Sequence, residues 1–183
     1  ERNGKALINY GVSVGHLAAR MAAMHDPPEF LPTGEAARRA ATHSEIAEMK
    51  SSIERGLRRG AVGVGFGIQY VPQASHWEIL EMFRVAARFN ASCHVHLRNA
   101  GIKEPASSVQ ALEEVIAAAT VTGAPLHVVH VQSTGGKATP QLLKMIAEAR
   151  GRGLDITTEC YPYIAGMTDI KSAIFNEGWQ DVF

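Results

Sequence analysis

The sequence predicts an α/β chain in which short parallel strands alternate with amphipathic helices, and three observations carry that expectation. Apolar residues recur at helical spacing in four separate stretches. A short run of mainly apolar residues follows each stretch, or stands between two of them, and reads as a strand. The strand starts, near residues 61, 91, 126 and 154, lie 28 to 35 residues apart. That is the period of strand–helix units, whose right-handed crossovers leave the helices outside a parallel sheet.

The elements follow in order. "ALINYGVSV" (6–14) reads as a first strand, followed by a looser excursion through "MHDPPEFLPTGE". Thr42 and Glu45 stand at capping-box spacing before a helix whose stripe is Ile46, Met49, Ile53 and Leu57, and Gly60 is its stop. "AVGVGF" (61–66) is the next strand. Ser75 and Glu78 repeat the capping box before a helix that buries Ile79, Met82, Phe83 and Ala86, and "ASCHVHL" (91–97) follows as a strand. The third helix runs through Val109, Leu112, Val115, Ile116 and Ala119 to Gly123, and "LHVVHV" (126–131) follows. Thr139 and Pro140 are read as cap and first residue of the fourth helix, and "LDITTEC" (154–160) is the last strand. Five strands fit a doubly wound open sheet or a portion of a (β/α)8 barrel, and are too few to close a barrel of about 250 residues.

Composition narrows the function classes. The 183 residues are 46% hydrophobic and 20% charged, ordinary for a globular domain with a real core. Lys plus Arg and Asp plus Glu both number 18, so no net field favours nucleic acid or an anionic membrane. No apolar run reaches the roughly 18 residues of a membrane span. Two cysteines, Cys93 and Cys160, form no disulfide framework, and a cytoplasmic setting is expected. The chain opens on Glu1 rather than Met, without a signal-peptide pattern, and is expected to be a piece of something longer.

Function in parallel α/β folds gathers where strands finish. His96 and Arg98 end one predicted strand, His130 and Gln132 the next, and Tyr161, Pro162 and Tyr163 follow the last. His96 and His130, 34 residues apart on adjacent strands, are candidates to converge on a zinc-like ion. Strict alternation puts His130 on the face of Leu126 and Val128, with His127 opposite. His94, one pleat deeper than His96, is read as an interior residue bonded to Glu159. Cys93 and Cys160 are read as packing residues, and His43 and His76 as solvated. His16 is expected to reach the mouth. Three motifs fail: "GVGVGFG" lacks GxGxxG spacing, "STGGKAT" lacks the first Gly and the final Ser or Thr of a phosphate loop, and no Ser stands in GxSxG. The glycines at 63, 65 and 67 are read as leaving space, with room for substrate at the mouth.

Several blocks in order, "INYGVSVGHLAARMAAM", "RRGAVGVGFGIQYVP", "HVHLRNAG", "HVVHVQST" and "GLDITTECYPYIAGMT" among them, resemble the N-acyl-D-amino-acid deacylases, a branch of the amidohydrolase superfamily that includes D-aminoacylase and N-acyl-D-glutamate deacylase. The resemblance implies a partial, TIM-like (β/α)8 barrel, about strands three to seven. Residues 1–183 would be a single fragment lacking the first strands, the last strand and a small β domain. It implies zinc, one or two ions in the full-length enzyme, with His96 and His130 as ligands. Tyr70, Arg98, Gln132 and Tyr161 are expected at the substrate, and His94 and Glu159 as supports behind the ligands. Where the better-known D-aminoacylases carry a lysine, this chain has Gln132, so a substrate carboxylate needs another partner, with Arg98 the candidate. The first-strand HxH, the cysteine ligand and the general-base aspartate of the family have no place in 1–183, and the fragment alone is expected to be inactive. The implied reaction is zinc-dependent hydrolysis of a linear N-acyl-D-amino acid, N-acyl-D-glutamate included, to a carboxylate and a D-amino acid. The alternatives are a cyclic amidohydrolase or deaminase, or a non-catalytic small-molecule-binding homologue. Neither nucleic acid nor membrane is an expected partner; the remaining barrel or a second copy is expected to cover the open strand edges.

Overall fold

The computed structural model describes residues 7–177 and 179–181. Five parallel strands pair in strict sequence order: β1 (Val14–Gly15), β2 (Gly63–Gly67), β3 (Ser92–His96), β4 (Leu126–Val128) and β5 (Ile156–Thr158). This order decides between the two predicted architectures. A doubly wound sheet reverses its winding at a switch point. Here every right-handed crossover steps the same way, which puts all the helices on one face and leaves the other face as a barrel interior.

The helix-side residues of the strands, Val64, Phe66, Cys93, Val95, Leu126, Val128 and Ile156, are buried against α3 (His43–Arg58), α4 (His76–Arg88), α5 (Ser108–Thr122) and α7 (Thr139–Gly151). The predicted stripes supply the other half of this core, with Met49, Ile53, Ile79, Met82, Phe83, Leu112 and Val115 fully enclosed. Gly123 closes α5 at φ +74°, a conformation that costs glycine little.

Several boundaries differ from the sequence reading. The first strand shrinks to Val14–Gly15, with Ala6 of the predicted run outside the described residues. It is an edge strand, and its preceding Leu7, Ile8 and Val12 lie exposed. The excursion after it holds two helices that were not foreseen, α1 (His16–Ala23) and the single turn α2 (Glu35–Arg38). β4 stops at Val128, and a short helix α6 (Val131–Gly135) follows at once. Thr139 is the first residue of α7 rather than its cap; its hydroxyl donates to the Gly136 carbonyl at 2.7 Å.

The capping box before α3 is complete. Thr42 Oγ1 accepts from the Glu45 amide at 3.3 Å, and the Glu45 carboxylate accepts from the Thr42 amide at 2.7 Å. Arg39 holds the same carboxylate through two further bonds. The Arg39 guanidinium first, with help from Thr42, draws the Glu45 carboxyl from 4.5 down to about 2. A folded-state value below the unfolded one contributes stability that is present above about pH 4.5 and is lost as pH falls toward 2. Urea midpoints measured across that window should therefore fall less steeply for Glu45→Gln than for the parent chain. Before α4 only half the box forms. Ser75 Oγ accepts from the Glu78 amide at 3.1 Å, but the Glu78 side chain turns inward. There it meets His16 Nε2 at 2.7 Å and the Arg20 guanidinium, all three side chains being buried. His16, expected at the mouth, is thus locked between α1, α4 and the Phe66 ring on the helix side of the sheet.

Candidate metal centre

The site is built by the ends of β2, β3 and β4. The register pairs Gly67 with His96 and His94 with His127, so these positions share the inner face. His127 therefore joins His94, with ring centroids 5.1 Å apart, while Leu126 and Val128 pack on the helix side. Continued alternation would send His130 to the helix side as well. It does not, because the strand has already ended and His130 adopts φ +34°, ψ 54°, an uncommon left-handed conformation outside glycine. This bend swings its ring to the inner face. His96 Nδ1 and His130 Nε2 meet at 2.9 Å.

Three neighbours frame the pair. Gln69, in the 3-10 turn Ile68–Tyr70 after β2, meets His96 Nε2 through its Oε1 at 2.7 Å. The Tyr70 ring lies 5.2 Å from that of His96, and Tyr161 lies 6.1 Å from His130, centroid to centroid. Thr168 donates to the Tyr70 hydroxyl at 3.3 Å and ties the C-terminal segment to this rim. Gly67 eases the arrangement, since a Cβ there would stand 3.0 Å from both Tyr70 and Leu17 and would press on their side chains. The inner-face glycines thus make room for the protein's own side chains as well: at Gly63 a Cβ would crowd the Ser92 carbonyl at 2.8 Å and the His94 ring. A cleft of about 390 Å³ opens beside the pair, lined by Leu17, Phe30, Leu31, Tyr70, His94 and His96. A groove of about 680 Å³ between α5 and α7 lies by Asp155, at the opposite ends of the strands, and contains none of these residues.

Burial pushes the His96 imidazole down to about 4, and the neighbouring His130 adds to the effect. At neutral pH the ring is therefore uncharged and carries one free lone pair, the form a metal ligand needs. Among the described residues no set of three or more His, Cys, Asp or Glu side chains converges to hold an ion. The histidine pair is at most part of a coordination sphere.

No protein-family profile matches the chain. D-aminoacylase of Alcaligenes xylosoxydans xylosoxydans is 31% identical over 172 residues, which cover 91% of this chain and 32% of the relative. N-acyl-D-glutamate deacylase of the same organism is 32% identical over 170 residues, 90% of this chain and 32% of the relative. Among solved structures, N-acyl-D-glutamate deacylase from Bordetella bronchiseptica, complexed with zinc and a phosphonate mimic of the tetrahedral intermediate, superposes with a TM-score of 0.71 at 29% identity, over 88% of this chain and 32% of that one. The chain is a homologue of the N-acyl-D-amino-acid deacylases. It spans about a third of the length of the relatives it matches.

This deacylase homologue arranges its other sequence-predicted residues unevenly. Arg98 is turned away from the histidines. Its Nε and Nη2 bind both oxygens of Glu114 at 2.8 and 2.7 Å, and its Nη1 donates to the Pro72 carbonyl at 2.9 Å. This largely buried fork ties the loop after β3 to α5 and leaves no side-chain nitrogen without a partner. Glu159 approaches His127 at 3.5 Å instead of bonding to His94 as read, and His94 bonds to Ser92 Oγ at 2.8 Å. His127 Nδ1 also meets Thr157 Oγ1 at 2.7 Å. The side chain of Gln132 donates at 3.4 Å to the Tyr161 carbonyl, while its buried Oε1 has no partner among the described residues. Cys93 is buried as expected for packing, and Cys160 is exposed, contrary to expectation. Exposed His76 lies 3.2 Å from Glu114. Sequence reasoning missed Gln69, and it placed His127 on the face opposite Leu126 and Val128, where the structure has it, without giving it a role. Gln69 stands just past the end of β2, the one sequence signal that marks it.

Proposed function

We propose that this chain is the central part of a longer metal-dependent amidohydrolase that cleaves the linear amide of an N-acyl-D-amino acid, N-acyl-D-glutamate being the first candidate. The observation that carries the reading is the meeting of His96 Nδ1 and His130 Nε2 at 2.9 Å from adjacent strand ends. The deacylase likeness supports it independently.

The pair fits zinc. Tetrahedral zinc with bonds of about 2.0–2.1 Å sets neighbouring ligand nitrogens about 3.3 Å apart. A few tenths of an ångström of opening adapts the two rings. Their partly buried imidazole nitrogens suit a borderline-soft divalent ion, and the remaining ligands come from chain outside residues 1–183. An ion held there supplies Lewis-acid polarisation of the amide carbonyl and activation of water at neutral pH. His96 and His130 fix its position at the strand ends. Tyr70 beside His96 and Tyr161 beside His130 orient the acyl group and the amino-acid portion. Gln132, two residues beyond His130, holds the Tyr161 carbonyl through its Nε2. Arg98, held by Glu114 and Pro72, orders the loop after β3 rather than holding the substrate carboxylate. The carboxylate that accepts the proton from water, and returns it to the leaving amine, lies outside this segment.

The test is a substrate panel with the purified full-length protein, with metal analysis alongside. Zinc-dependent turnover of N-acetyl-D-glutamate or another N-acyl-D-amino acid is expected. Turnover of a hydantoin or dihydropyrimidine with none of the linear amides would transfer the site to cyclic substrates, and absence of bound zinc would overturn the proposal.

A further inference from the structure

We infer that Gln69 is a positioning residue: its side-chain oxygen fixes the tautomer of His96 and so decides which imidazole nitrogen faces His130. The inference rests on the metal reading above only for its purpose, not for its geometry. An amide oxygen is an acceptor with no proton to give. The 2.7 Å contact between Gln69 Oε1 and His96 Nε2 therefore requires the proton on Nε2. In the imidazole tautomer with its proton on Nε2, Nδ1 carries the lone pair. That lone pair points at His130 Nε2, 2.9 Å away.

The backbone supports this role. Gln69 sits in a 3-10 turn that begins at Gly67, the last residue of β2, and Gly67 pairs in register with His96. The same turn places Tyr70 against the His96 ring on its other side. One tight turn thus delivers both a hydrogen-bond acceptor and a packing surface to one imidazole. The ring is fixed in rotation by Tyr70 and in proton position by Gln69. The neighbouring histidine is treated differently, for His130 Nδ1 is buried and has no partner among the described residues. Of the two histidines, His96 is the one whose donor nitrogen is already prepared.

Hydrogen bonds behind a metal-bound histidine raise its basicity and fix its orientation, and their removal typically weakens metal affinity about 10- to 100-fold. The test uses the full-length protein labelled with 15N-histidine, free of metal, and reads the ring proton by long-range 1H–15N correlation. Wild-type His96 is expected to carry its proton on Nε2, Gln69→Glu to keep it there, and Gln69→Leu to show a mixture. A wild-type proton on Nδ1, or a Gln69→Leu spectrum identical to wild type, would overturn the inference. Zinc affinity, measured against a competing chelator, is the second readout. It is expected to weaken about 10- to 100-fold in Gln69→Leu and to be kept in Gln69→Glu. Unchanged affinity in a folded Gln69→Leu protein also overturns the role. Failure of the wild-type protein to bind zinc would instead overturn the metal reading, a result the tautomer measurement keeps separate.

Discussion

Replacing His96 and His130 together by alanine in the full-length protein is expected to cut amide hydrolysis by about a thousand-fold or more, and to release at least one zinc equivalent. The magnitude follows from the several kcal/mol that a bound ion contributes to charge stabilisation, at about 1.4 kcal/mol per factor of ten. Each ring alone is half of a pair whose nitrogens stand 2.9 Å apart, so either single substitution should have most of the effect of the double one. That non-additivity is the signature of residues acting as a unit. Stability should change little, because the pair lies at the rim of the sheet and outside the helix-side core. Metal content by elemental analysis and kcat/KM on an N-acyl-D-amino acid check the prediction. Unaltered zinc in the double variant would refute the assignment of both ligands.

The second large effect concerns folding. Glu78→Leu is expected to destabilise the protein by about 3–5 kcal/mol, because it leaves Arg20 buried without its counter-charge. The carboxylate it removes accepts from both His16 and Arg20, and Arg20 Nε continues to the Ala36 carbonyl at 2.8 Å. This cluster joins α1 to α4 and anchors α2 to both. Burial alone would push the Glu78 carboxyl up, yet the hydrogen bond and charge of His16, with those of Arg20, hold it below the usual carboxylate range. The double replacement Arg20→Met with Glu78→Leu should cost less than the sum of the two single changes, since no uncompensated charge remains. Urea unfolding of the three variants measures this, and strictly additive costs would show that the pair is not coupled.

How far the sequence revealed this molecule depended on the range of the interaction concerned. The helices α3, α4 and α5 were legible because their signals are local: a capping residue, a stripe at helical spacing and, for α5, a closing glycine. The pairing of His96 with His130 was legible from the equal depth of two strand ends. The way it is achieved was not. A strict two-residue alternation would have turned His130 away, and the bend that rescues it is a positive φ with no glycine to announce it. The fates of Arg98, His16 and Glu159 were equally hidden. Each was judged by its place along the chain, and each was claimed by a charged or polar group on another element, Glu114, Glu78 and His127 respectively. A guanidinium near a strand end pairs with the carboxylate its neighbours bring within reach, and that partner is 16 residues away in the chain.

The segment after β5 stands apart from this scaffold. Tyr163, Ile164, Met167 and Ile170 are exposed, and the segment meets the rim through Tyr161 beside His130 and through the bond from Thr168 to Tyr70. The histidines, by contrast, are carried by the end of β3 and the bend after β4, with Gln69 following β2. With their side chains so exposed, residues 163–170 can take substitutions over evolutionary time at little cost to the packing of this scaffold, while the histidine pair stays fixed.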